Sequence, residues 1–427
     1  MPAIESKNVA TRWITRLVSI LLAVAVGYAT YVIPAHLAVD LYLHEKHDSR
    51  IAVPILVLYF ILLFLMVTTY ARTLYTAYFD PGVVPLGPRA IARLEKESQQ
   101  RQKTQVSGDI ESRAYDAGPD IDPDSPGIEN FYTRDVFICE PDGRPRWCSE
   151  CCNWKQDRVH HSSEIGRCVY RMDHYCPWVG GMIGENSFKF FVQFVIYAAL
   201  YCGLILGVAG YTVHRTITEH KVSVITRDIS ILISVTGIAG FFGLFSFAMA
   251  VTSMNYVLQN LTNVESLANQ HKSYKLAVRI ARDTRPEKFG VIVYPLPKPD
   301  RRTNKSETTS VGPYENSPAT ENNDGAAIIQ NRDDLATRIF GILVMEKGEN
   351  PWDLGFWNNW KSVMGTTPLD WLLPIRKSPC ANHESQEAFY PMGHALENLR
   401  ARYGVPAGPP SDESTVIEMR RLRDQQS

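Results

Sequence analysis

Four runs of apolar residues, each close to the ~20 that an α-helix needs to cross the hydrocarbon of a bilayer, constrain this chain more than any single motif. They cover about 17–37, 51–70, 190–212 and 229–251, and none contains Asp, Glu, Lys or Arg. The first is too long for the apolar part of a secretory signal, and no small-x-small cleavage site follows it. Four charge-free stretches of this length in one chain are not what buried helices of a soluble protein look like. The sequence therefore predicts an α-helical multi-pass membrane protein with four transmembrane helices. A mean hydropathy of −0.15 hides this, because polar stretches fill the intervals between the runs. A net charge of −1 and a pI near 6.8 argue against a nucleic-acid partner, which needs a strongly basic face.

An even number of spans puts both termini on one side, together with the loop 71–189. Arg72, Arg89, Arg93 and Lys96 follow the second span, and Lys7, Arg12 and Arg16 precede the first. The positive-inside tendency places that side in the cytosol. Arg215, Lys221 and Arg227 in the connection 214–228 weaken the asymmetry without reversing it. The resulting plan is a cytosolic N-terminus (1–16), the first two helices (17–70), a partly disordered cytosolic loop (71–147), a cysteine-rich domain (148–189), the last two helices (190–251), a cytosolic C-terminal region (252–405) and a disordered tail (406–427). Within it, 95–124 is polar and nearly free of large apolar residues, so it reads as mobile, and 299–324 reads as a linker.

Five of the eight cysteines lie between 148 and 176, interleaved with His160, His161 and His174. A disulfide framework fits small secreted domains, and a metal site or a catalytic thiol fits a loop between membrane spans; the second reading is favoured. Cys148-x2-Cys151 is followed by His161 and then Cys168, a set of soft sulfur and imidazole ligands that suits tetrahedral zinc. Such a site supplies on the order of 10–16 kcal/mol of metal-coupled folding energy, in a region with little apolar residue to pack. Cys152, Cys139 and His160 are nearby substitutes for a ligand.

Five residues past Cys168 begins Asp173-His174-Tyr175-Cys176-Pro177-Trp178. Cys176 has no cysteine at knuckle spacing beside it. A thiol attacks only as the thiolate, and its ordinary pKa lies near ~8.5. An adjacent imidazole can take the proton, and a carboxylate can hold that imidazole in the right tautomer. On residues alone, this nucleophile stands level with a buried structural cysteine beside a hydrogen-bonded histidine.

Four motifs tilt the balance: the run 171–184; Asp80-Pro81-Gly82 after the second span; Asn260-Leu261-Thr262-Asn263-Val264-Glu265 after the fourth; and Asn350-Pro351-Trp352-Asp353-Leu354-Gly355 near the C-terminus. Their order and their places relative to the spans resemble the DHHC-type protein S-acyltransferases, or palmitoyltransferases, and most closely the fungal members with an Asp-His-Tyr-Cys signature. The resemblance covers the spans and the core around the cysteines, and leaves the linkers and tail outside.

The resemblance implies a cytosolic zinc-binding, cysteine-rich catalytic domain between spans 2 and 3. It implies transfer of a long-chain acyl group, palmitoyl above all, from acyl-CoA through an acyl-enzyme on Cys176 to cysteines of membrane-proximal protein substrates. His174 is then the general base and Asp173 its orienter. The family binds two zincs, each through three cysteines and one histidine. The first set maps onto Cys148, Cys151, His161 and Cys168. The second maps onto Ser162, Ile165, Tyr175 and Met182, where every ligand has gone. One zinc is therefore expected, with side-chain packing in place of the other. Asn263 stands where the family has a second Thr, a mild departure.

A sixteen-carbon chain exposes about fourteen methylenes at ~0.8 kcal/mol each, so keeping it in water costs on the order of 11 kcal/mol. A cavity among the spans, with membrane lipid around it, avoids that cost. Thioester exchange needs no ATP, and no G-x-x-x-x-G-K-[ST] run is present. Arg146, Lys155, Arg158, Arg167 and Arg171 are candidates for the CoA phosphates, with a solvated charged face as the plainer reading of each. Trp352, Trp357 and Trp360 read as interfacial anchors or as core, and the resemblance favours core. A catalytically silent, membrane-anchored zinc scaffold is the alternative function. A transporter lacks support, because the spans carry almost no ionisable residues.

Overall fold

Each apolar run is helical, and each helix outlasts its run. The computed structural model describes residues 8–103, 127–220, 227–269, 273–282, 284, 288–294 and 337–406. The expected linker at 299–324, residues 104–124 of the polar stretch, the tail from 407, Lys7 and Lys221 lie outside the described residues. In chain order, α1 (Val9–Thr30) runs on as a π-helix over Tyr31–Glu45, which contains Pro34, and α2 spans Ser49–Phe79. Then come α3 (Pro88–Lys103) and α4 (Glu129–Tyr132), seven short strands, α5 (Phe188–His220) and α6 (Arg227–Gln259). The four helical stretches long and apolar enough to cross a bilayer are Val9–Glu45, Ser49–Phe79, Phe188–Thr218 and Ile229–Gln259. Helix is the natural form there, since backbone groups in lipid must be satisfied within the segment.

The polar stretch starting at 95 was expected to be mobile, yet its first nine residues belong to α3. The helix is held at its start, where the Gly87 N–H donates to Cys151 O at 2.9 Å and Arg93 donates to Glu150 O at 2.6 Å. Composition alone does not reveal such anchoring.

Among the spans, α5 packs against both α2 and α6. The few polar groups in this core pair with one another, as a low-dielectric surround requires. Tyr59 and Tyr201 hydroxyls lie 2.6 Å apart, and Thr30 Oγ1 lies 2.9 Å from Tyr59 Oη. Past Tyr70, α2 continues for nine residues; its buried Thr73 returns its hydroxyl to Thr69 O at 2.7 Å, so that donor is paired within the helix.

Between spans 2 and 3 the cysteine-rich chain folds into three two-stranded hairpins. They are β2–β3 (Arg146–Cys148, Asn153–Lys155), β4–β5 (His160–Ser162, Arg167–Val169) and β6–β7 (His174–Cys176, Gly181–Ile183). Strands of three residues have no core of their own. A second, four-stranded antiparallel sheet has the order β1-β8-β10-β9, from β1 (Val136–Ile138), β8 (Lys275–Arg279), β9 (Gly290–Tyr294) and β10 (Arg338–Val344). Val136 pairs with Val278, and Gly341 pairs with both Val278 and Val291. The sheet thus joins chain from before span 3 to chain from after span 4, segments that the sequence reading kept apart as loop and C-terminal region. Its buried face carries Phe137, Tyr294 and Phe340, packed with Phe131 of α4 and with Phe389, and the Phe137 and Phe340 rings are 5.3 Å apart. After α7 (Asn263–Asn269) and the sheet, α8 (Phe356–Met364), α9 (Pro368–Leu372) and α10 (His394–Tyr403) complete the described chain.

Because Phe340 is central to that face, Phe340→Ala is expected to cost about 3–5 kcal/mol. The measurement is the midpoint of thermal unfolding in detergent; an unchanged midpoint means the sheet does not hold the two segments together.

Candidate active site and metal site

All eight cysteines are free thiols, so the cluster is not a disulfide framework. His161 and Cys168 are directly opposed across the β4–β5 hairpin, while Cys148 ends β2 and Cys151 lies in the turn that leads to β3. The His161 Nδ1 atom lies 3.5 Å from Cys148 Sγ, 3.4 Å from Cys151 Sγ and 3.9 Å from Cys168 Sγ. All four ligand atoms fall within 4.8 Å of one another. Zinc–sulfur bonds of about 2.3 Å and zinc–nitrogen bonds of about 2.0–2.1 Å put tetrahedral neighbours roughly 3.6–3.8 Å apart, so the donor set fits that ion. The Cys151 N–H donates to Cys148 Sγ at 3.4 Å, which favours the thiolate the metal needs.

The nearby substitutes point elsewhere. Cys139 sits in the core of the four-stranded sheet, the Cys152 thiol donates to Ser149 O at 3.3 Å, and His160 Nδ1 lies 3.3 Å from Arg158 O. Of the four positions matching the second family site, Ile165, Tyr175 and Met182 pack with Val83, Val169 and Met172, and the Ser162 hydroxyl donates to Met182 Sδ at 3.2 Å. These side chains fill the space they share.

The third hairpin carries the signature. Asp173 Oδ2 accepts from His174 Nδ1 at 2.6 Å, and Asp173 Oδ1 accepts from the Asn263 N–H at 2.8 Å. With both oxygens engaged, the carboxylate has one orientation, and it holds the imidazole through Nδ1 so that Nε2 is left for chemistry. The Asn263 contact comes from the backbone, which explains why Asn can replace Thr there. Burial pulls the His174 pKa down, but its hydrogen bonds to Asp173 and to Cys176 outweigh that, and the value is pushed up from 6.5 to about 9. The Phe191 ring meets the imidazole edge-to-face at 5.1 Å. Cys176 is buried in a cluster with Val179, Phe188 and Phe191.

The hairpin lies flush on the membrane helices because its turn ends in glycine, at Gly180 and Gly181. Gly180 has a φ of +74°, and a Cβ there would come within 2.1 Å of Thr15 and 2.4 Å of the Tyr78 hydroxyl. The Tyr70 hydroxyl of α2 donates to Trp178 O at 3.0 Å, two residues past Cys176. Tyr70 also lines an apolar cavity of about 230 Å³ among the four spans, together with Ser19, Met66, Phe194, Tyr201 and Phe242. The Trp178 ring meets that of Phe242 edge-to-face at 6.2 Å, so the cavity lining reaches the residues that follow the cysteine. The Tyr201 in its lining is hydrogen-bonded to Tyr59.

The basic candidates divide. Arg158 and Arg171 are buried and not part of a solvated face, and Arg158 is fully committed to other partners. The Arg158 guanidinium forks onto Glu265, Nε to Oε1 and Nη2 to Oε2 at 2.7 Å each, and donates to Asn260 Oδ1 at 3.0 Å; both members of the ion pair are 1% exposed. Arg171 donates to the same Asn260 oxygen at 3.0 Å. Asn260 in turn donates to Trp352 O at 2.8 Å, and the Arg158 guanidinium lies 4.5 Å over the Trp352 ring. Arg167 donates to Val84 O at 3.0 Å, while Arg146 and Lys155 face each other across β2–β3. Sequence reasoning flagged the 260–265 motif without finding its partners. The available signal was an acid amid apolar neighbours, which must meet a buried cation. Trp352 is core, as expected; Trp360 packs on Trp371 at 5.8 Å, whereas Trp357 is exposed.

A family model described as DHHC palmitoyltransferase matches residues 142–270. Similar proteins include palmitoyltransferase pfa5 of Aspergillus fumigatus, 35% identical over 439 residues that cover 95% of this chain and 93% of the relative. Palmitoyltransferase pfa5 of Emericella nidulans is 34% identical, with 92% and 86% covered. Palmitoyltransferase PFA5 of Saccharomyces cerevisiae is 32% identical over 193 residues, 45% of this chain and 46% of that one.

Two predictions come from this geometry. Glu265→Ala leaves Arg158 buried without its counter-charge, which is expected to cost about 3–5 kcal/mol, read as a lower thermal midpoint; a wild-type midpoint contradicts it. The folded pKa of His174 lies above its unfolded value, so its charged form stabilises fully below pH 6.5 and loses that contribution as pH rises through about 9. The gap in thermal midpoint between wild type and Asp173→Asn should therefore be widest near about pH 6 and should close towards about pH 10; a gap that widens with pH argues against the pair.

Proposed function

The chain belongs to the DHHC family of palmitoyltransferases and is a protein S-palmitoyltransferase, and from that premise we propose that Cys176 is the residue that carries the acyl group. The observation that supports this is the convergence of three things at one hairpin: the Asp173–His174 pair hydrogen-bonded towards Cys176, the flush seat on the spans, and the apolar cavity whose lining reaches Trp178.

In the first half-reaction His174, as the general base, holds the Cys176 proton in an imidazolium–thiolate pair, and the thiolate attacks the thioester carbonyl of acyl-CoA. A carbon–sulfur bond forms to Cys176, the bond to the CoA sulfur breaks, and the imidazolium returns the proton to the leaving CoA thiol. In the second, His174 deprotonates a substrate cysteine, whose thiolate attacks the Cys176 thioester; Cys176 leaves and regains the proton. One thioester replaces another, so the sequence of steps is balanced without ATP. Asp173 holds the imidazole orientation and stabilises its charged form throughout. The acyl chain lies in the cavity among the spans, which spares it the on the order of 11 kcal/mol that exposure to water costs.

Cys148, Cys151, His161 and Cys168 hold one structural zinc. Four protein ligands leave no open position, so the ion contributes folding energy to the hairpins and not chemistry. Both termini and the catalytic hairpins face the cytosol, where acyl-CoA and the substrate cysteines are met, in keeping with the basic residues that flank spans 1 and 2.

Purified protein given a clickable palmitoyl-CoA is expected to gain a hydroxylamine-sensitive label that Cys176→Ser lacks. Asp173→Asn should slow labelling by roughly 10²–10⁴-fold, the range of a disabled acid–base group. Equal labelling of the Cys176→Ser protein would leave a membrane-anchored zinc scaffold as the better account. Metal analysis is expected to find close to one zinc per chain, with Cys148→Ala unable to retain it; two zincs per chain would mean that the second family site survives on other ligands.

A further inference from the structure

The segment from α8 to Ile375 presents two unlike faces. Phe356, Trp357, Leu369, Leu372 and Ile375 are each 55% to 64% exposed. Among the described residues outside the spans, no other twenty-residue stretch gathers as many exposed large apolar side chains. On the opposite face, Trp360, Val363, Met364 and Trp371 pack into the cluster that contains Cys176. Exposed apolar area of this density marks an interaction surface.

The backbone of the segment shows what covers that surface. Gln193 Nε2 donates to Asp370 O at 3.1 Å and to Trp371 O at 2.9 Å, and the Tyr197 hydroxyl donates to Leu372 O at 2.7 Å. Gln193 and Tyr197 stand five and nine residues into α5, about 8 and 14 Å along its axis at ~1.5 Å per residue. The 31 residues of Phe188–Thr218 span about 46 Å, matching a bilayer of about 40–45 Å with about 5–7 Å of headgroup layer on each side. The depth of Tyr197 is therefore below the headgroups. Carbonyls ending a helix of five residues have no water there, and two side chains of span 3 supply the missing donors, as hydrocarbon demands.

The other end of the segment sits higher. Asn350 Nδ2 donates to Gln259 O at 2.7 Å, and Asn359 Nδ2 donates to Leu258 O at 2.8 Å, so α8 begins at the end of span 4. Phe356 and Trp357 are thus at the level where aromatic side chains favour the interface. Arg376, next after Ile375, is exposed, and Lys377 pairs with Asp80 at the end of α2; the one cation inside 356–375, the exposed Lys361, is on α8, the helix that begins at the end of span 4.

We propose that 356–375 is embedded in the bilayer, with Leu369, Leu372 and Ile375 among the acyl chains beside span 3 and with Phe356 and Trp357 at the headgroups. The segment is then a wall between lipid on one side and the Cys176 cluster on the other. The occupant of the exposed face is phospholipid, in continuity with the lipid-facing surface of the spans, and not a second protein.

The test places p-benzoylphenylalanine singly at Leu369, Leu372 and Ile375 of the full chain, in nanodiscs of radiolabelled phosphatidylcholine. Comparators are Leu244 on span 4 and Val291 on the four-stranded sheet. After irradiation, label transfer at Leu372 and Ile375 is expected to match that at Leu244 and to exceed that at Val291 at least about tenfold, because a water-exposed site meets lipid only transiently. Transfer at the Val291 level from all three positions would overturn the proposal. So would crosslinking to a second copy of the chain, seen as a dimer band, since the face would then be a protein interface.

Discussion

Two charges that have left water hold this molecule in register. Arg158 belongs to the cysteine-rich hairpins and Glu265 to α7, just after span 4, and each is only 1% exposed. A buried ion pair contributes little net stability, because desolvation consumes most of the Coulombic gain; breaking it, by contrast, strands a charge. Its effect is specification. Asn260 ties Arg158 to Arg171 and to the Trp352 carbonyl, and Asn263 fixes the Asp173 carboxylate. The soluble hairpins, the membrane bundle and the C-terminal region therefore meet at one polar knot, and that knot ends on the orienter of His174.

The hairpins around it illustrate two ways of stabilising strands too short to have a core. In one, four ligands converge with the spacing of a tetrahedral ion. In the other, Ile165, Met182 and Tyr175 close on each other by contact. Metal ligation is directional and needs all its donors, so its loss as a unit is easier to accommodate than the loss of one ligand. Dispersion and apolar burial then take over, provided the volumes fit.

Legibility in the sequence followed the range of the interaction that carries each feature. The spans are local signals of length and hydropathy: the starts of the last three were readable to within two residues, while at the other ends the helices run six to nine residues past the apolar runs. Cys148, Cys151, His161 and Cys168 were readable because ligands must recur at short spacing. The four-stranded sheet was not. Strands of three to seven residues have little periodicity to detect, and pairings such as Val136 with Val278 depend on the membrane helices between them. Arg158 and Arg171 were misjudged for the same reason, since nothing near them in the chain indicates that Asn260 and Glu265 meet them. The nine helical residues beyond Tyr70 escaped a hydropathy reading because they are paid for by contact with a hairpin and not by lipid. Within the signature, the order Asp-His-x-Cys was plain, whereas the backbone donor of Asn263 has no trace in residue identity.

Catalysis on this account depends on a thiol seated where water ends. The hairpin turn at Gly180 rests against α1 and α2, Tyr70 ties Trp178 to α2, and the cavity lining reaches them. The most direct measurement is peptide mapping of the protein quenched during a single turnover with palmitoyl-CoA and no acceptor. The predicted result is a thioester on the peptide that contains Cys176, with the other seven cysteines unmodified. An acyl group found on Cys202 or Cys380 while Cys176 stays free would contradict the account.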